Sequence, residues 1–110
     1  RLRGLTEATG SNPDVKLFTK AMKSNGKDRD EKVKFISASD AEMVFEIGDA
    51  TVKFIVDTSD YGITVEKIEA KNRKTGETQT NKLRRGVLIN NSRDVDTVMN
   101  DMDRLIDYVL

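Results

Sequence analysis

The chain contains no cysteine, no histidine and no tryptophan, and has one proline among its 110 residues. Without cysteine there is no disulfide staple and no thiolate metal site, an absence that accords with a reducing compartment. Without histidine the commonest general base is gone, and with it imidazole metal ligands and the Ser-His and Cys-His nucleophile pairs. Aromatics are scarce, at four Phe and two Tyr. Net charge is missing too: nineteen basic residues balance nineteen acidic ones. Attraction of the whole molecule to nucleic acid or an anionic membrane is therefore not expected, and such binding would need a local patch. No apolar run approaches the ~18 residues of a membrane span. The longest, such as Phe54-Ile55-Val56 and Val87-Leu88-Ile89, are strand-sized. No stretch reads as a signal peptide, so the expectation is a soluble, cytoplasmic chain.

What is present suffices for one core. A chain of this size buries roughly two thirds of the surface its unfolded form exposes, and a single domain is expected over residues 13–110. Residues 1–12 read as a flexible or partner-bound arm, with Leu2 and Leu5 its only sizeable apolar groups. The chain begins at Arg1 rather than Met, as a processed product, an engineered fragment or an incomplete sequence would. Within the arm, Leu5-Thr6-Glu7-Ala8 resembles the short Leu-x-Glu signal cut by the prohead proteases of tailed phages. That resemblance implies a phage or viral accessory or virion protein, and a place within a virion as the alternative to the cytoplasm.

Beyond the arm, Ser11 or Asn12 suits a helix cap, Pro13 the first helical position and Asp14 the positive end of the dipole. Val15, Phe18 and Met22 recur at helical spacing, widened by Leu17 and Ala21. Asn25-Gly26 reads as the stop, and the charged run Lys27 to Lys32 as a solvated loop. From Val33 the period falls to two. Val33 and Phe35 alternate with polar positions, as do Met43, Phe45 and Ile47.

Gly48-Asp49 predicts a two-residue hairpin turn, with Gly taking positive φ at the first position. That turn pairs Ile47 with Ala50, Phe45 with Val52 and Met43 with Phe54 on one face, because a one-residue slip would put the phenylalanines in water. The opposite face then carries Glu42, Val44, Glu46, Thr51, Lys53 and Ile55. A loop at 59–62 leads to a strand from Ile63, where Ile68 breaks alternation and predicts a bulge or a second covered face. Lys74 to Glu77 forms a turn, and Leu83 to Ile89 returns as a fifth strand. Asn91 or Ser92 caps the final segment, in which Val95, Val98, Met99, Met102, Leu105, Ile106 and Val109 share one helical stripe. The fold class expected is α+β: an antiparallel meander of about five strands, an N-terminal helix, and a C-terminal amphipathic helix docked on the Phe-bearing face.

No phosphate loop is present, since Lys74-Thr75-Gly76-Glu77-Thr78 lacks the required spacing. Asp94-x-Asp96 and Asp101-x-Asp103 have neither the central glycine nor the bidentate glutamate of a calcium loop, and on a helix such pairs diverge. Asn90-Asn91-Ser92 is a formal glycosylation sequon, relevant only to a secreted chain. No catalytic residue, metal site or cofactor is assigned, and a non-enzymatic role is expected.

The functional signal is a basic cluster from Lys67 to Arg85, with seven basic residues against two acidic. It maps onto one long hairpin tipped by Gly76. Lys71, Arg73, Lys74, Lys82, Arg84 and Arg85 are the candidates for binding a protein partner or phosphates. The same charges would also serve to keep a long exposed edge from pairing with another sheet. The favoured expectation is an interaction or structural module that joins a larger assembly through a protein partner. The alternative is a nucleic-acid-binding accessory domain using the hairpin on phosphates. Stacking residues are few, because all four phenylalanines fall on core faces and only Tyr61 and Tyr108 are left. The first helix is expected to cover Val44 and Ile55, giving three layers; left uncovered, they form a candidate apolar contact patch. Oligomeric state is left open, and no membrane partner is expected.

Overall fold

A computed structural model describes residues 13–28, 30–39, 41–59 and 62–110. The predicted arm with its Leu5-Thr6-Glu7 signal, the Ser11 or Asn12 cap, and Tyr61 lie outside the described residues. The elements are α1 (Pro13–Asp28), β1 (Val33–Ala38), β2 (Glu42–Ile47), β3 (Ala50–Ser59), β4 (Gly62–Asn72), β5 (Thr78–Ile89) and α2 (Ser92–Val109). The strands form one antiparallel meander in the order β1-β2-β3-β4-β5. The α+β class and the strand count are as the periodicity predicts.

The β2–β3 register is the one the turn dictates: Ile47 opposes Ala50, Phe45 opposes Val52, and Met43 opposes Phe54. Gly48 has φ 59, whereas Asp49 is not a positive-φ residue, the signature of a turn with its left-handed residue first. On this face Phe18 of α1 meets Phe54 at 5.0 Å and Phe45 at 5.9 Å, and Phe45 meets Phe35 at 5.6 Å. The rings are tilted or edge-on, the arrangement their quadrupoles favour. The seven stripe residues of α2 are all buried. Asn91 caps α2, accepting from the Arg93 and Asp94 amides, while the Asp94 carboxylate accepts from the Asn91 amide, a reciprocal capping box.

Two local expectations are corrected. Asn25-Gly26 does not end α1, which runs on to Asp28 and takes in the start of the expected charged loop. Gly26 is buried, and a Cβ there would lie 2.5 Å from Val33 Cγ2, so this glycine permits close approach to β1 and is not a stop. The helix ends at a left-handed Asp30 (φ 61). The Glu31 amide there donates to the Gly26 carbonyl, and the Asp30 amide to the Lys27 carbonyl, the paired bonds of a Schellman cap. Likewise β5 begins at Thr78, five residues before the expected Leu83, because Thr78 to Lys82 pair with Lys71 to Lys67 along the whole hairpin.

A third correction concerns layers. Both helices pack on the Phe-bearing face: α1 beside β1 and against α2, and α2 over β4 and β5. The Asn25 amide donates to the Asp96 carboxylate between them. The described residues therefore form two layers, not three. The opposite sheet face, with Val44 and Ile55 on it, has no helix over it among the described residues.

Candidate functional site

The open face is a grid read directly from the register. Its rows cross β2 to β5 as Glu46–Thr51–Lys71–Thr78, Val44–Lys53–Glu69–Thr80 and Glu42–Ile55–Lys67–Lys82. Val44 and Ile55 are diagonal neighbours and half-buried. Along the other diagonal of the same square, Lys53 Nζ pairs with Glu42 Oε2 at 3.6 Å. Charged stems, and not a helix, border the two apolar side chains, as amphipathic side chains readily do.

The six basic candidates separate into two groups. At the turn, Asn72 is buried and makes three bonds that fix the loop. Its Nδ2 donates to the Val109 carbonyl at 2.9 Å, and its Oδ1 accepts from the Lys74 and Thr75 amides. The Arg73 amide donates to the Asp49 carbonyl at 2.9 Å, and its guanidinium donates to the Gly48 carbonyl and pairs with Glu46 Oε1 at 2.7 Å. Lys74 Nζ lies 3.3 Å from Asp49 Oδ2. The hairpin turn thus folds onto the β2–β3 turn, and two of the six candidates make intramolecular ion pairs. Lys71 is exposed between Thr51 and Thr78.

Four residues further along the strand, about 13 Å away at ~3.3 Å per residue, the ladder breaks. Val65 pairs with Val87 and Lys67 with Lys82, so Glu66 alone on β4 faces Leu83, Arg84, Arg85 and Gly86 on β5. The bulge predicted from Ile68 is the single extra Glu66 of β4 against β3, between the Val56–Val65 and Ile55–Lys67 pairs, and the slip of β5 at the same place is wider. Gly86 holds it. Its φ is 68, and a Cβ there would meet Thr64 Cγ2 at 2.7 Å and the Val65 carbonyl oxygen at 3.3 Å. Both the backbone conformation and the close approach therefore require glycine.

The bulge forms one wall of an open concavity of about 430 Å³ lined by Ile55, Glu66, Lys67, Lys82, Arg84 and Arg85. Lys82, Arg84 and Arg85 are exposed and Lys67 half-buried, and no ion pair involves any of them among the described residues. Lys67 and Lys82 stand directly opposite each other, a like-charge juxtaposition that weakens a sheet. The structure therefore gathers Lys82, Arg84 and Arg85 with Lys67 and Ile55, and leaves Lys71, Arg73 and Lys74 apart. Lys67 was within the basic run but not among the candidates. The signal that finds it is the hairpin register, which places it opposite Lys82.

Sequence reading also passed over a second cationic feature. Lys16, Lys20, Lys23 and Lys27 are all exposed on α1 at i, i+4, i+7, i+11. Attention to the apolar stripe of that helix hid the regularity of its other flank.

Among the described residues no three carboxylates converge where a metal ion would sit, and no helix is long and apolar enough to cross a membrane. Asp94, one of the acidic pairs weighed as a metal site, is instead the reciprocal partner of the α2 cap. No protein-family model, curated protein or solved structure matches the chain.

Proposed function

We propose that this domain is a non-enzymatic interaction module that binds a protein partner on the open face of its sheet, at the concavity beside the β5 bulge. The observation that carries the reading is the set of four cations around Ile55, with no ion pair among the described residues, on a molecule that neutralises similar residues one turn away. Opposed like charges cost stability, and their presence beside a bulge that only glycine accommodates favours a binding role there. An apolar floor ringed by cations fits a short segment of partner that carries an apolar side chain between carboxylates.

An extended nucleic acid suits this face less well. Glu42, Glu46, Glu66 and Glu69 lie on or beside the same grid and would repel successive phosphates. Among the described residues no aromatic side chain lines the concavity for base stacking. The Leu5-Thr6-Glu7 signal supports placing the module in a larger assembly such as a virion.

The test is titration of isotope-labelled protein with short peptides in which Asp or Glu flank a leucine, followed by amide NMR. The expected result is a contiguous set of shifts at Ile55, Lys67 and Lys82 to Gly86. A variant carrying Lys82→Ser, Arg84→Ser and Arg85→Ser loses the binding, while one carrying Arg73→Ser and Lys74→Ser keeps it. Shifts confined to other surfaces, or equal affinity of both variants, would overturn the proposal. Preference of this face for duplex nucleic acid over every acidic peptide would instead install the phosphate-binding alternative.

A further inference from the structure

The exposed flank of α1 carries a straight row of lysines that the proposed peptide site does not use. Lys16, Lys20, Lys23 and Lys27 fall within about 60° of the helical wheel at ~100° per residue, and span about 16 Å at 1.5 Å per residue. All four are exposed, and no ion pair involves any of them among the described residues. Between Val15 and Gly26 the helix has no acidic residue, so nothing on it interrupts the row. At its C-terminal end the row continues into Lys32, which lines a surface concavity with Lys23, Lys27 and Glu31. At the N-terminal end Lys16, Lys20 and Lys23 border a second shallow concavity with Thr19 and the half-buried Phe35 of the edge strand β1.

The chain as a whole is neutral, so this row is a local charge concentration, not the share expected of a basic protein. Protection of the β1 edge does not require it, because that strand already has an exposed Lys34 and a bulge at Ile36, two of the usual devices against edge pairing. The asymmetry with the open face is also informative: cations there are interleaved with glutamates, whereas from Lys16 to Lys27 no acidic residue intervenes.

We infer that this flank of α1 is a docking surface for the phosphodiester backbone of a duplex nucleic acid. A regular row of flexible ammonium groups matches a regular line of phosphates, each one able to release condensed counterions without reading a base. An acidic peptide would need carboxylates arrayed over the same length. A folded partner would more naturally engage through the bidentate arginines that α1 lacks. The row lies beside β1 and the bulge lies on β5, the two opposite edges of the sheet, so the duplex and the peptide partner would occupy separate surfaces.

The experiment is fluorescence anisotropy of a labelled duplex of mixed sequence, titrated with the whole chain over a range of salt. Binding should be independent of sequence, with a log–log salt slope near −3.6 if all four lysines neutralise phosphates at about −0.9 each. Lys16→Gln, Lys20→Gln, Lys23→Gln and Lys27→Gln together should weaken binding by at least about tenfold at low salt and flatten the slope. Glutamine has nearly the helix propensity of lysine, and the same four positions changed to arginine should restore binding in a fold confirmed by circular dichroism. The Lys82, Arg84 and Arg85 serine variant should bind the duplex like wild type, which separates this surface from the peptide site. The inference is overturned by no binding at low salt, by equal binding of wild type and the glutamine variant, or by loss in the serine variant alone. It is equally overturned if phosphatidylserine vesicles bind to the row while the duplex does not.

Discussion

The turn and the mid-strand bulge of the β4–β5 hairpin start from similar residues and reach opposite electrostatic outcomes. At the turn, Arg73 and Lys74 face Glu46 and Asp49 and are neutralised, and Asn72 ties the loop to the last carbonyl of α2. At the bulge, Lys67, Lys82, Arg84 and Arg85 face one another and a single Glu66. A basic residue in a hairpin is thus not a binding residue by composition alone. What matters is whether the register brings it a carboxylate. The turn end supports the fold, and the bulge end is weakly satisfied and available.

Breaking the quiet end should have the largest effect on stability. Asn72→Ala leaves the buried Val109 carbonyl unpaired and removes both loop bonds, and should cost about 2–3 kcal/mol. Urea unfolding measures this directly, and a loss below half a kilocalorie would mean that water replaces the amide without penalty. The peptide affinity at the bulge should be unaffected.

Breaking the other end is expected to matter less for stability and more for binding. Gly86→Ala forces an L-residue into left-handed backbone at a cost of about 1–2 kcal/mol, and its Cβ pushes on Thr64 and Val65. Adding Thr64→Ser removes the nearest methyl and should return part of the loss, a coupling that a double-mutant cycle reads. Strict additivity would show that backbone conformation alone sets the cost.

The comparison sharpens at Lys82. Lys82→Glu converts the opposed lysines into a complementary cross-strand pair and should raise stability by about 0.2–1 kcal/mol. The same change should weaken acidic-peptide binding. A variant that lost stability would remove one of the two grounds for assigning the bulge a binding role.

The smallest effect is expected at the surface ion pairs. Lys74→Ala removes one exposed partner of Asp49 and should change stability by no more than a few tenths of a kcal/mol. Thermal unfolding at low and high salt would detect a larger contribution as a salt-dependent shift.

Much of the fold was legible because short-range chemistry agreed with the packing. The Gly48-Asp49 turn set the β2–β3 register, and the α2 stripe named its seven buried residues. Asn91, one of the two expected caps, marked the start of α2. Gly26 misled, because a glycine after Asn reads alike as a stop or as room for Val33, and only the β1 approach distinguishes them. The candidate site was legible as a basic run but not as a shape. Arg73 and Arg84 look equivalent in a one-dimensional list. The wide bulge that exposes Arg84 depends on how far β5 slips against β4 between Lys82 and Val87.

The sequence by itself determined the periods, the Gly48-Asp49 turn, the cap of α2 and which side chains avoid water, since each depends on residues a few positions apart. The absence of histidine and cysteine likewise narrowed the chemistry before any fold was known. Tertiary structure alone decided that both helices share one sheet face, that Val44 and Ile55 lie on the other, and which cations find carboxylates. Those outcomes depend on contacts between segments tens of residues apart, where charge and volume meet partners that no local pattern specifies.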